Sequence, residues 1–164
     1  MPYTMKVEGM EEISEMLTKL EGDAEAVAAL GLYDGAGIMA DTIKSSAGSI
    51  REAPFKWAST RRGETRLPSP EEKEIVMNAE AGIAKFDKNG SEVDTSVGYR
   101  NAGYAVLKNK TVPVPVIVNA INSGTSFMRK QPFFRKAVSK GSKAAEAAIT
   151  AKIEEVLGNI TKEK

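Results

Sequence analysis

The chain contains neither cysteine nor histidine. Without thiols there is no disulfide, no thiolate nucleophile and no Cys/His zinc site. Without imidazole there is no catalytic triad built on a histidine base. Proton transfer near neutral pH would then fall to a carboxylate or lysine with a shifted pKa. No apolar run approaches the roughly 20 residues that span a bilayer, so no membrane partner is expected. The opening MPYTMKVEGMEE lacks the basic-then-apolar order of a signal peptide, and a cytoplasmic product is expected. Charge of one sign is also missing: 23 Lys and Arg stand against 22 Asp and Glu, a net +1. No global field therefore draws the chain to nucleic acid or membrane. Internal repeats and low-complexity segments are absent.

What remains is the composition of a soluble globular protein, 41% hydrophobic and 27% charged. Its 164 residues fit a single domain, 1–164, long enough to bury a sizeable core. Met10, Ile13, Leu17 and Leu20 form one apolar stripe, which predicts a helix over residues 10 to 21 with Glu11, Glu12, Glu15 and Lys19 on the wet side. After Gly22, Asp23 is a good N-cap for a longer helix whose buried face would be Val27, Leu30, Gly31, Gly35, Ile38, Met39, Thr42 and Ile43. Gly31, Gly35 and Gly37 each cost about 1 kcal/mol relative to alanine inside a helix. Either the close approach of a neighbouring helix or subunit, or a kink, must account for them.

Residues 51 to 68 have no clean period and carry Arg51, Lys56, Trp57, Arg61, Arg62 and Arg66, which predicts a long basic loop. Ser69, Pro70 and Glu72 then supply an N-cap, a first-turn proline and a capping-box acid for a helix running to about Phe86, with Ile75, Val76, Ala79, Ile83 and Phe86 inward. Asp87-Lys88-Asn89-Gly90 is a turn signal. Val93, Thr95, Val97 and Tyr99 alternate with Glu92, Asp94, Ser96 and Gly98, the pattern of a half-buried strand. A second turn at 100–103 precedes a short partner strand at 104–107. Residues 111 to 118 are ambiguous: Pro113 and Pro115 argue against a central strand, and Pro115 can start a short helix that Gly124 ends. Pro132 opens the clearest element, a helix of roughly 27 residues and ~40 Å. Its inward face would be Phe134, Ala137, Val138, Gly141, Ala145, Ala148, Ile149, Ile153, Val156 and Leu157. The expected fold is α+β: three to four helices packed on one face of a small, mainly antiparallel sheet, with a long C-terminal helix.

Candidate sites are few. Glu11, Glu12, Glu15 and Glu71, Glu72, Glu74 read as solvated helix faces and first-turn charges that favour the helix dipole. Asp87, Asn89 and Glu92 lack the ligand spacing of a calcium loop, and the glycines match no phosphate-loop pattern. No metal, cofactor or catalytic residue is assigned. Two basic clusters stand out, Arg51 to Arg66 and Arg129, Lys130, Arg135, Lys136, Lys140, Lys143. Positions 136, 140 and 143 share one helix face. Such a face is usually just solvated. The functional alternative is contact with DNA phosphates or an acidic neighbouring subunit. Phe127, Met128, Phe133 and Phe134 either lock the last helix onto the core or leave one or two anchors for a partner's groove, and both can hold at once.

The stretch Ser123-Gly124-Thr125-Ser126, Phe127 to Lys130, then Gln131-Pro132-Phe133-Phe134-Arg135-Lys136-Ala137-Val138, resembles a signature of phage tail-component proteins of the Hong Kong lambdoid type: Gly-Thr, a short basic link, Pro-Phe, a basic residue, Ala. Gly82 to Phe86, with Asn89-Gly90 and Val97-Gly98-Tyr99, is similar to a prophage branch. The likeness extends over nearly the whole chain in its order of parts, while the Gly-Thr to Ala-Val segment is its specific portion. Ser123 stands where many relatives carry an acid. The resemblance implies a non-enzymatic neck, head–tail joining or tail-completion protein, made in the host cytoplasm and then carried in the virion. It would assemble as a ring with itself and neighbouring neck or tail proteins, around a channel that DNA crosses. Gly124, Thr125, Pro132, Phe133 and Phe134 would be its structural motif, a rigid bracket. Arg51, Lys56, Trp57, Arg61, Arg62, Arg66, Phe127, Met128, Arg129 and Lys130 would be its contact residues, on a loop that orders on assembly. A DNA-binding module is the second expectation. A hydrolase is the third, disfavoured by the missing histidine and cysteine.

Overall fold

Asp23 opens the first long helix as its sequence position requires: its carboxylate oxygen accepts the backbone N–H of Glu25 at 3.0 Å. This helix, α1, spans Ala24–Ala47. The computed structural model describes residues 2–7, 11, 15, 23–54, 64–89 and 92–162. The helix expected over 10 to 21 lies outside them except for Glu11 and Glu15, which are helical and exposed. The remaining elements are β1 (Tyr3–Val7), α2 (Pro70–Asn78), β2 (Gly82–Ile83), β3 (Asp87–Asn89), β4 (Glu92–Gly98), β5 (Tyr104–Leu107), β6 (Lys110–Pro113), α3 (Val114–Ser123) and α4 (Phe133–Lys162). The fold is α+β, and its strands divide into two small sheets. Among the described residues no helix is long and apolar enough to cross a membrane.

The chain forms two compact units. One gathers residues 1–2, 40–82 and 98–140; the other gathers 3–39, 83–97 and 141–164. In the second unit β4 is the central strand. β1 lies antiparallel on one edge, Tyr3 opposite Val97 through Val7 opposite Val93. β3 lies antiparallel on the other edge, Asn89 opposite Glu92. The alternation read from β4 holds, with Val93, Thr95 and Val97 buried. The buried Thr95 hydroxyl donates to the Ala84 carbonyl at 2.9 Å, which makes a polar residue tolerable on the inner face.

In the same unit, Gly31 and Gly35 of α1 lie against Ile149 and Ile153 of α4. Both pairs are four residues apart, so glycine hollows meet isoleucine knobs along one helical row. Close approach therefore explains these two glycines, whereas Gly37 has nothing within 4 Å. The predicted face of α1 holds at Val27, Gly31, Gly35, Met39 and Ile43, all buried, and is corrected at Leu30, which is 48% exposed; Ala28, Leu32, Ala36 and Ala47 are buried beside it, and Ile38 and Thr42 are half-buried. At 3.6 residues per turn Leu30 sits about 100° round the helix from Gly31, off the packed row.

In the first unit the second helix starts as expected and stops early. Ser69 Oγ accepts the Glu72 N–H and Glu72 accepts the Ser69 N–H, a complete capping box. The helix ends at Asn78 because Ala79 turns extended, with ψ 146°. The expectation of helix to Phe86 is thereby corrected: Gly82 and Ile83 join the β4 sheet, and Phe86 is 38% exposed rather than inward. A sheet edge in place outweighs a modest helix propensity. β5 finds its partner in the following segment, β6, with Tyr104 opposite Pro113 and Leu107 opposite Lys110. Lys108 and Asn109 make the tight turn with positive φ. Pro115 lies in the first turn of α3, and Gly124 closes the helix at φ +78°. The core of this unit includes Ile50, Val76, Val114, Ile117, Ile121, Met128, Phe133 and Ala137.

Candidate functional site

The Gly-Thr segment forms a hydrogen-bonded bracket. Gly124 takes a left-handed φ of +78°, and a Cβ there would meet Lys130 N and Cβ at 3.0 Å, so only glycine fits the turn without strain. Thr125 folds the next residues over. Its Oγ1 accepts the N–H groups of Phe127 and Met128, at 3.3 and 3.0 Å. Its own N–H donates to the Met128 carbonyl at 3.0 Å. Gln131 N–H then returns to the Ile121 carbonyl at 2.8 Å, closing the segment onto α3. Asn122 Oδ1 accepts the Phe134 N–H at 3.2 Å and so caps the first turn of α4.

Residues 51–53 and 66–72 are fastened to this bracket and to one another. Arg66 N–H donates to the Phe127 carbonyl at 2.7 Å, and Arg129 N–H donates to the Arg66 carbonyl at 2.8 Å, an isolated parallel bridge centred on Met128. Gln131 uses its side-chain amide as a substitute for a strand: Oε1 accepts the Arg51 N–H and Nε2 donates to the Arg51 carbonyl, both at 2.8 Å. Ala53 N–H donates to the Pro68 carbonyl at 3.0 Å. The Arg66 guanidinium forks onto both Glu72 oxygens at 2.6 and 2.7 Å and also donates to the Leu67 carbonyl. Burial by itself would raise the Glu72 pKa. The Arg66 hydrogen bonds, the Ser69 amide and the charges of Arg66 and Lys108 together outweigh it and hold the carboxyl below its ordinary value.

The structure brings together most of the residues named from sequence and gives them different work. Gly124, Thr125, Phe133 and Phe134 build the bracket, and both phenylalanines are buried. Phe133 stacks edge-on against Tyr99 with ring centroids 6.4 Å apart. Met128 is buried as well, so it is a core residue rather than a contact residue. Arg66 is engaged by Glu72 and by the bridge, so it ties its own segment to the bracket rather than reaching outward. Phe127, 58% exposed, with the exposed Arg51, Arg129 and Lys130, remains at the surface. Lys56, Trp57, Arg61 and Arg62 lie outside the described residues.

Gln131, Asn122 and the Arg66–Glu72 pair were not assigned roles from sequence. An amide that pairs with distant backbone leaves no local pattern, and the six-residue step from Arg66 to Glu72 crosses a helix start where no periodicity rule applies. The capping box did mark Glu72 as a polar group in need of partners. Among the described residues, no three or more acidic side chains gather as a metal site would require. The chain matches no family model, no curated protein and no solved structure.

Proposed function

We propose that this chain is a structural, non-enzymatic subunit of a tailed phage or prophage, working as a ring in the neck or at the head-proximal end of the tail. The observation that carries this reading is the bracket. Backbone turns, two side-chain amides and a largely buried ion pair hold one short stretch, Phe127 to Lys130, in fixed orientation at the start of α4, with Phe127, Arg129 and Lys130 exposed. Ring closure demands such fixed geometry, because small angular errors per subunit accumulate. The resemblance of the Gly-Thr to Ala-Val segment to phage tail-component proteins points the same way. Light scattering across a concentration series should give a defined oligomer, seen as rings by electron microscopy. Deleting the gene should leave unjoined heads and tails, or tails of wrong length. Normal infectious particles from the deletion would reject the reading.

A second reading, DNA binding, is favoured by α4. Arg135, Lys136, Lys140 and Lys143 are all exposed on it, and 136, 140 and 143 share one face. This reading predicts retardation of duplex DNA at low salt. Free migration at 50 mM salt would dispose of it.

A further inference from the structure

The same compact unit that carries Phe127 also carries a groove between α2 and β5. Its volume is about 520 Å³, its floor and walls include Ile75, Ala79, Val106 and Val114, and Glu71 and Glu74 stand on it. Both carboxylates are exposed, and Tyr104 and Val106 on the β5 side are 73% and 69% exposed. An open trough that is part apolar and part polar, with two acids standing on it, is the complement of an aromatic side chain flanked by two cations. Phe127, with Arg129 and Lys130 two and three residues on, is that motif. Phe127 is 58% exposed, so it is not seated in the groove of its own copy.

Resting on the ring reading above, we propose that the contact between neighbouring copies is this knob in this groove. Phe127 of one subunit enters the α2–β5 groove of the next, and Arg129 and Lys130 face Glu71 and Glu74. The exposed part of the Phe127 ring is small enough to be received by a groove of about 520 Å³. Aromatic anchors in a desolvated pocket dominate interface energies, and the charges at the rim set register and exclude wrong partners. Knob and groove share no residue, so each copy can give its knob to one neighbour and its groove to the other, a head-to-tail contact that makes a ring when the rotation closes. The bracket holds the knob in place, and the capping box of α2 holds one wall of the groove.

Two assembly-defective variants test this directly. The knob variant carries Phe127→Ala, Arg129→Glu and Lys130→Glu; the groove variant carries Glu71→Gln and Glu74→Lys. Each should be monomeric by light scattering at concentrations where the wild type is a ring. Phe127→Ala alone should raise the half-assembly concentration about tenfold or more. Mixed one to one, the two variants should form a dimer and nothing larger, because a single intact knob and a single intact groove remain. Circular dichroism checks that each is folded, and Val106→Glu replaces any groove variant that is not. Wild-type rings that both variants form equally well would overturn this contact and leave the ring reading standing, as would a mixture that stays monomeric. A wild type that is monomeric at every concentration would overturn both.

Discussion

A methyl group added at Gly35 has nowhere to go. It would meet Ile149 Cγ1 at 2.5 Å, Ile149 Cδ1 at 2.8 Å and the Ala145 carbonyl at 3.0 Å. The isoleucine tip can turn aside, but the carbonyl belongs to a helix and cannot. Gly35→Ala should therefore destabilise by about 1–3 kcal/mol through overpacking, even though alanine is the better helix former. Gly37, two positions on, has open space around it. Gly37→Ala should stabilise by about 0.5–1 kcal/mol, since only the gain in backbone entropy and helix propensity remains. Urea denaturation of the two variants checks the pair, and equal signs would contradict the packing. Tyr99 gives a second single-residue test. Its ring is buried against Phe133, and its hydroxyl is buried with no hydrogen-bond partner among the described residues. Burial pushes the phenol up to about 12 from its ordinary 10.0. Tyr99→Phe should be neutral or stabilising by about 1 kcal/mol at pH 7, because an orphaned donor is removed and the ring stays. The raised folded-state pKa means that the neutral phenol's contribution is intact below pH 10 and lost as pH rises toward 12. The variant's advantage in thermal melts should thus widen above pH 10.

At the scale of elements, the bracket and the capping box behave as one polar network with Glu72 at its centre. Glu72 accepts from Arg66 and from Ser69 N–H, and both its side chain and that of Arg66 are largely buried, 9% and 19% exposed. Glu72→Gln keeps the shape and removes the charge that Arg66 needs. It should cost about 2 kcal/mol at pH 7. A folded-state pKa held below the ordinary 4.5 contributes stability that is present above that pH and lost as pH falls further. The gap between wild type and Glu72→Gln should accordingly narrow below pH 4.5 in acid titrations followed by circular dichroism. The same elements show what one sequence can and cannot convey. Asp23, Ser69-Pro70-Glu72, Pro115 with Gly124, and Pro132 mark helix starts and stops through local hydrogen bonding and fixed dihedrals, and the helices begin or end where these residues stand. β4 is legible because one face is buried and the other is not. The early end of α2 is not legible, because β4 competes for residues 82–84 from more than ten positions away. The pairing of β5 with β6 was obscured by Pro113, which sits at the last position of its strand and opposite Tyr104. β1 has the alternation of a strand, with Met5 and Val7 buried, but at five residues it is too short to stand out. In the candidate site, the glycine turn and the proline-led helix were readable. Which side chains turn inward was not: Met128 is buried in a core built from distant segments, and Arg66 is turned in by Glu72 across a helix start, where no periodicity rule applies.

At the scale of the whole molecule, near-neutrality makes the two functional readings separable by salt. With 23 basic against 22 acidic residues there is no long-range field to steer or hold a partner, and any charge effect must come from local clusters. On α4 the exposed cluster is Arg135, Lys136, Lys140 and Lys143. If all four neutralise phosphates, log K for duplex DNA should fall with log salt at a slope of about −3.6, a loss of roughly 100-fold between 50 and 200 mM. A contact between copies is different. An aromatic anchor carries most of its free energy, and its rim charges are screened over a Debye length of about 8–10 Å, so the same change of salt should weaken assembly by only a few-fold. Reversing Lys136, Lys140 and Lys143 to glutamate sharpens the comparison. The structural reading predicts oligomers of unchanged mass from this variant, because none of the three lies on the knob or the groove. The DNA reading predicts that whatever duplex binding exists at low salt disappears. Light scattering and gel retardation on one preparation, at 50 and 200 mM salt, measure both. A variant that loses the oligomer while the wild type keeps it would place α4 itself in the subunit contact and displace Phe127 from that role.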